Sequence, residues 1–298
     1  MPVHEAQFDT WSHQGSVTQS STTYAAVKAC LESRATAYAT KDYAVFLQGS
    51  YGNDTNIYAE SDVDIVIRLD STYHYNIDSL SSEEKNTFHT NTGGPATYSF
   101  ADFKRDVTTA LMECYADDVA VGKKAVTIAS SANRRKADVI VTTEFRRYRS
   151  YSIYRTDDYV SGICFFTYGS ERVVNYPRQH SANVTAKHQA TNSWYKPAVR
   201  ILKNMRSCME AEGRITPGLA PSYFLEGLLY NVPNGEFGGS YERTIVAAVN
   251  WILGADRSQF ACANEEYYLL RAVPHVCWNP SDCDAFLAAL VTFWDDWH

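Results

Sequence analysis

Long hydrophobic runs are missing from this 298-residue chain. The longest, "IVAAV" and "FLAALV", fall far short of the ~20 residues that cross a bilayer, so no membrane association is expected. No apolar stretch follows the charged start, and a secretory signal is not expected. Positive charge is in deficit: 27 basic against 34 acidic residues leave a net −7. That balance argues against a protein that grips long DNA or RNA along its backbone, and leaves room for a small phosphorylated ligand in a local basic pocket. A C-x-x-C pair is missing too. The seven cysteines, Cys30, Cys114, Cys164, Cys208, Cys262, Cys277 and Cys283, are scattered and odd in number, which predicts a cytoplasmic protein with reduced, buried thiols. His275 with Cys277 and Cys283 fits no common zinc spacing. What is present is ordinary for a globular protein, 45% apolar and 20% charged, without repeats.

Periodicity divides the chain in two. Residues 18–39, "TQSSTTYAAVKACLESRATAYA", carry apolar side chains at helical spacing behind a Ser or Thr cap, which predicts a long N-terminal helix. Strands are expected at 44–48 and 63–69. Residues 70–98 read as irregular, with a short helix at 81–89. A helix over 99–118 starts at a Ser cap, and strands follow at 125–129 and 137–142. Beyond about residue 150, mixed strand and loop gives way to helices at 192–212, 220–230, 240–253 and 282–297. The fold class is therefore α+β and two-lobed. Residues 1–150 form a mixed-sheet core behind the N-terminal helix, residues 151–298 form a mainly helical lobe, and the cleft between them is the expected active site.

The chemistry is concentrated in "FLQGSYGNDTNIYAESDVDIVI". Strand alternation puts Asp62, Asp64 and Val66 on one face. The two carboxylates then lie roughly 7 Å apart at Cα, from about 3.3 Å per residue. Held together at the end of a buried strand they are costly unless protons or cations neutralise them, and Mg²⁺ meets that need with oxygen ligands. A bare D-x-D equally fits a solvated strand edge. Two features favour the metal. Gly49-Ser50 follows an apolar strand, where glycine permits a tight turn and serine adds a hydroxyl beside free N–H groups. Asp138 is a lone aspartate in the strand "ADVIV" and could complete a two-metal site, with Asp62 and Asp64 shared by both ions.

A strand ending in Gly49-Ser50, then Asp62-Val63-Asp64, then a lone strand Asp138 resembles the signature of the polymerase-β-like nucleotidyltransferase superfamily. The second half narrows it. "NSWYKPAVRILKNMRSCMEAEG" is amphipathic: Trp194, Ala198, Ile201, Leu202, Met205 and Met209 form an apolar face. Lys196, Arg200 and Lys203 form a basic stripe, either a solvated face or a cation row facing a triphosphate. Pro197 marks the first turn or a kink. Later, "APSYFLEGLLYNVP" opens a helix with Ser222-Tyr223 behind Pro221. This succession is similar to the bacterial cGAS/DncV-like nucleotidyltransferases (CD-NTases), relatives of cyclic GMP-AMP synthase, over about residues 20–255.

The resemblance implies a nucleotidyltransferase core with an N-terminal spine helix and a helical C-terminal lobe. It implies that Gln48, Gly49, Ser50, Lys203 and Ser222 bind the donor triphosphate, that Tyr223 stacks on its base, and that Asp62, Asp64 and Asp138 hold two Mg²⁺ ions, for which Mn²⁺ can substitute. Residues that choose the acceptor base are expected near 168–192, where His180 and Lys187 are either pocket or surface residues. Many members carry Gly-Thr where this chain has Asp54-Thr55. The implied activity joins NTPs into a cyclic di- or trinucleotide second messenger, with release of pyrophosphate, for antiphage (CBASS) signalling through a separate effector protein. A monomer is expected. Arg134, Arg135, Lys136, Arg146, Arg147 and Arg149 around Asp138 form a local basic patch suited to an anionic substrate. Two rival readings share these residues: another nucleotidyltransferase branch acting on RNA ends or small molecules, and an inactive nucleotide-binding scaffold.

Overall fold

The computed structural model describes residues 5–15, 17–58, 62–92, 94, 96–154, 158–273 and 275–296. Two helices, α1 (Glu5–Ser12) and α2 (Thr18–Leu31), lead into β1 (Tyr43–Gln48), a one-turn helix α3 (Gly49–Gly52) and the long strand β2 (Val63–Asn76). Helices α4 (Ser82–Asn91) and α5 (Phe100–Tyr115) precede β3 (Val119–Val121), β4 (Val126–Ile128), β5 (Ala137–Ser150), β6 (Asp158–Phe166) and β7 (Arg172–Asn175). Five helices complete the chain: α6 (Pro177–Ala190), α7 (Tyr195–Ala211), α8 (Ser222–Tyr230), α9 (Tyr241–Gly254) and α10 (Pro280–Asp296). The chain divides into two compact units, each discontinuous in sequence.

The sheet unit comprises Ser21–Leu47 and Asp62–Tyr176. Its strands run β1-β2-β5-β4-β3, with β6 and then β7 added on the later part of β5. β2 and β5 are parallel and pair from Val63↔Ala137 onward; β4 and β6 lie antiparallel to β5. Val63, Ile65, Val66, Ile67 and Leu69 are all buried, so β2 is covered on both faces there, as its consecutive Ile65-Val66-Ile67 requires. Both β2 and β5 extend beyond the apolar stretches that define them in sequence. A second small cluster supports the extension: Phe88 of α4 packs edge-on to Tyr75 and Tyr148, at centroid distances of 4.8 and 5.1 Å. The break expected near residue 150 falls inside the sheet, since Ser150 pairs with Asp158.

Two helix ends are set by caps that the sequence announces. Ser81 and Ser99 each accept from the backbone N–H three residues on, and Glu84 and Asp102 return the bond. The N-terminal helix differs from expectation: α2 stops at Leu31, and residues 33–39 continue as tight turns, with Thr36 N–H bonded to Ser33 O and Ala39 N–H to Thr36 O. The apolar periodicity persists because Tyr38 is buried in edge contact with Tyr43 and Phe103, its hydroxyl donating to Leu31 O at 2.9 Å. The cysteine reading is corrected as well: Cys30 on α2 and Cys114 on α5 form a disulfide. A separation of 84 residues with no motif hides that pairing, which exists only once the two helices are side by side. Among the free thiols, burial pushes Cys164, Cys262 and Cys283 up to about 12.

The helical unit comprises Met1–Ser20, Gln48–Ser61 and Pro177–His298. Its spine is α7, which buries Tyr195, Ala198, Ile201, Leu202, Met205 and Met209 against a core that includes Leu225, Leu228, Ile245, Ile252, Trp278 and Phe286. Pro197 lies in the first turn of α7, where its missing N–H breaks no helical bond. Helix α6, not read from the sequence, buries only His180 and Val184, too few anchors for a periodic signal. Among the described residues no helix is long and apolar enough to cross a membrane.

Candidate active site

Sheet register assembles the carboxylates. Asp64 of β2 pairs with Asp138 of β5, and Asp138 pairs with Thr127 of β4. Paired residues point to the same sheet face, so Thr127, Asp138 and Asp64 form a row across three strands, about 4.8 Å from strand to strand. Asp62 precedes β2 by one position and shares the face of Asp64 by alternation. Asp64 and Asp138 are half-buried and Asp62 is exposed. Thr127 Oγ1 donates to Asp138 Oδ1 at 2.5 Å. Lys136 Nζ lies 2.6 Å from Asp62 Oδ2 and 3.2 Å from Asp138 Oδ2, so two carboxylates already reach one positive centre. The hydrogen bond to Asp62 holds the Lys136 ammonium above its ordinary pKa.

An all-oxygen donor set of three aspartates and one threonine fits a hard divalent cation. Among the described residues no three His, Cys, Asp or Glu side chains are gathered into a finished cluster. The carboxylates are thus in register but not closed around one point, and Lys136 is the counter-ion of two of them. Thr127 is missed by sequence reading. The signal for it is the short alternation "VTI", in which a hydroxyl interrupts two buried residues.

In the helical unit the turn after β1 is tight. Gln48 is extended, and Gly49 takes φ +68°, the left-handed region that glycine enters without strain. The loop folds back on itself: Asn53 N–H donates to Gly49 O at 3.1 Å and Thr55 N–H to Ser50 O at 2.9 Å. Asp54 between them has φ +55°. Here the basic stripe finds its partners. Lys196 Nζ bonds Asp54 Oδ2 at 2.9 Å, Arg200 Nη1 bonds Asp54 O at 2.6 Å, and Lys203 Nζ bonds Thr55 O at 3.0 Å. The stripe therefore binds the loop that follows Gly49-Ser50 and is not a solvated row. Lys203 is fully buried.

Ser222 and Tyr223 open α8. Arg206 Nη1 donates to Ser222 Oγ at 3.2 Å and to Ala220 O at 3.0 Å. The Tyr223 ring stacks on His180 with centroids 4.7 Å apart and planes at 23°, and its hydroxyl accepts from Asn264 Nδ2 at 2.9 Å. One turn along α8 is Glu226, 2% exposed. Its carboxylate accepts from Asn53 Nδ2 at 3.0 Å, from Thr55 Oγ1 at 2.5 Å and from His180 Nε2 at 2.7 Å. Burial pushes this carboxyl up, but the His180 hydrogen bond and the nearby Lys203 and Thr55 outweigh it and hold it below its ordinary value. Glu226 and His180 complete the group. Sequence gives a hint of Glu226 alone, as a single acid in the apolar run "YFLEGLLY". Lys187, the other open residue of its segment, bonds Val232 O.

The site residues thus fall into two groups. Asp62, Asp64 and Asp138 belong to the sheet unit; Gln48, Gly49, Ser50, Lys203, Ser222 and Tyr223 belong to the helical unit. Of the expected basic patch, Arg134 pairs with Asp118 at 2.6 Å, and Arg146 pairs with Glu144 at 2.7 Å while its guanidinium lies 3.9 Å from the Tyr73 ring centre.

Comparison with known proteins gives this arrangement a lineage. Residues 182–295 match the family model of the cGAS/DncV-like nucleotidyltransferase C-terminal helical domain. The chain is 38% identical to the cyclic UMP-AMP synthase of Rhodothermus marinus, covering 100% of this chain and 99% of that one. It is 34% identical to the cyclic nucleotide synthase CdnE01 of Staphylococcus haemolyticus over the full length of both. A solved structure of the Rhodothermus marinus CdnE c-UMP-AMP synthase with Apcpp and Upnpp superposes with a TM-score of 0.89 at 37% identity, covering 99% of this chain and 98% of that one. The similarity runs the length of the molecule and includes both units, and the chain therefore belongs to the cGAS/DncV-like nucleotidyltransferases.

Proposed function

We propose that this protein is a metal-dependent cyclic oligonucleotide synthase that joins two or three NTPs into a ring and releases pyrophosphate at each step. The end-to-end similarity to a cyclic UMP-AMP synthase carries the reading. In it, Gly49 and Ser50 with Gln48 hold the donor triphosphate, joined by Ser222 and Lys203. Lys203 is fully buried on the Thr55 carbonyl of the loop, so a direct bond to the triphosphate requires its ammonium to turn out toward Gly49-Ser50. Tyr223 stacks on the donor base, worth about 1–3 kcal/mol. Asp62, Asp64 and Asp138 would hold Mg²⁺, with Mn²⁺ able to substitute. Bound there, the cations would supply neutralisation of phosphate charge and a lowered pKa for the acceptor hydroxyl.

The acceptor 2′- or 3′-hydroxyl gives its proton to a site carboxylate or to water, its oxygen bonds to the α-phosphorus, and the bond from that phosphorus to the oxygen bridging to the β-phosphate breaks, releasing pyrophosphate. The second transfer, in the same site, closes the ring. Lys136 must release Asp62 and Asp138 when they take up metal, and Thr127 then holds Asp138 in orientation. Relatives named as cyclic UMP-AMP, dipurine and dipyrimidine synthases make uridine, adenosine and other bases open choices, with ATP plus UTP the first pair to test. We place the enzyme in the cytoplasm, where its NTPs are, and its product as an antiphage signal to a separate effector protein. The test is pyrophosphate release from each NTP pair with Mg²⁺. Release from at least one pair, absent in Asp64→Asn, supports the reading; release by Asp64→Asn at the wild-type rate contradicts it.

A further inference from the structure

Glu226 is more than a paired core charge. A buried carboxylate is several kcal/mol unfavourable unless donors surround it. Here three side-chain donors converge on it: the Asn53 amide, the Thr55 hydroxyl and the His180 ring. Only an ionised carboxylate accepts from all three at once; a glutamine would present its own N–H groups to one of them. Two of the three donors belong to the loop that returns to Gly49-Ser50. Asn53 N–H is bonded to Gly49 O and Thr55 N–H to Ser50 O, so the carboxylate lies one residue from both members of the turn. Lys196, Arg200 and Lys203 hold the same loop through Asp54 and the Thr55 carbonyl. The loop is thereby gripped by a cationic helix, α7, and by one anion, on α8. The third donor, His180, carries the ring stacked on Tyr223.

We propose that Glu226 is a positioning residue of the nucleotide site, fixing the turn at Gly49-Ser50 through Asn53 and Thr55. This rests on the nucleotide reading above and deepens it: the shape of the phosphate turn is set by a side chain that touches no substrate. The neighbouring left-handed Asp54 makes the need for such an anchor plain, because a non-glycine residue at φ +55° persists only where its surroundings hold it.

The test uses the full chain and two readouts. Amide hydrogen exchange over residues 49–55 is compared in wild type, Glu226→Gln, Thr55→Val and Thr55→Ser, and binding of the non-hydrolysable analogue Apcpp is titrated for each. Loss of a hydrogen bond to a charged group should speed exchange over this loop about tenfold in Glu226→Gln and Thr55→Val, with α9 protected as in wild type. Apcpp affinity should fall about tenfold in the same two variants. Thr55→Ser, which keeps the hydroxyl, should restore both. Unchanged exchange over the loop overturns the proposal, as does faster exchange with wild-type affinity. If wild type binds no nucleotide while the exchange pattern holds, the nucleotide reading fails and Glu226 stands as the anchor of the turn. Should Glu226→Gln not fold, the Thr55→Val and Thr55→Ser pair decides alone.

Discussion

The two units treat their carboxylates in opposite ways. In the sheet unit, Asp62 and Asp138 are held by Lys136, a half-exposed ammonium in reach of water. In the helical unit, Glu226 is sealed among Asn53, Thr55 and His180. A surface ion pair contributes about 0–1 kcal/mol, whereas breaking a buried one costs about 3–5 kcal/mol. The first arrangement can give up its ammonium to water, whereas the second is closed to solvent. Chemistry that needs a removable counter-ion belongs with the first, and geometry that must not move belongs with the second.

Mutations can break this contrast in order of size. Asp64→Asn or Asp138→Asn should lower product formation by about a thousandfold or more if these oxygens carry the metal, while the thermal midpoint stays near wild type. Glu226→Ala should do the reverse kind of damage first: it strands three buried donors and should lose about 3 kcal/mol in denaturant unfolding. Thr127→Val removes one donor to Asp138 and should reduce turnover about tenfold with little change in stability. Lys136→Met should lower the Mg²⁺ concentration needed for half-maximal rate a few-fold, because a competing cation is gone. A Lys136→Met enzyme that needs more Mg²⁺ than wild type would assign Lys136 to the substrate instead.

The smallest effect concerns acid. The Glu226 carboxyl is held below its ordinary value of 4.5 in the folded protein. Its contribution to stability is therefore complete above that value and is lost as pH falls toward the depressed folded value. Unfolding free energy measured from pH 7 down to pH 3 should drop less in Glu226→Gln than in wild type below about pH 4.5. Equal acid limbs in the two proteins would show that the carboxyl titrates as it does in the unfolded chain.

Much of the sheet unit was legible in sequence, because apolar runs and Ser caps are local signals. "DVDIVI" and "ADVIV" name both central strands, and the odd aspartates in them name the candidate site. Register was not legible: nothing in the sequence says that Asp64 lies beside Asp138 or that Thr127 lies beyond it. The stripe of α7 shows the limit from the other side. Spacing places Lys196, Arg200 and Lys203 on one face, but what covers that face is a loop about 140 residues earlier, and only tertiary structure brings its carbonyls there. The Cys30–Cys114 disulfide and the buried Glu226 escaped for the same reason: each is a long-range partnership, the first between two helices and the second between a helix and a distant loop, whose members look ordinary alone.

The central claim is that one site makes a closed ring from NTPs. It is tested most directly by incubating the protein with all four NTPs and Mg²⁺, labelling one at a time at the α-phosphate, and treating the products with phosphatase. A phosphatase-resistant product that disappears in Asp64→Asn is the predicted result, and the labels it retains name its bases. Label found only in linear or tailed products, or a resistant product that survives in Asp64→Asn, would contradict the account.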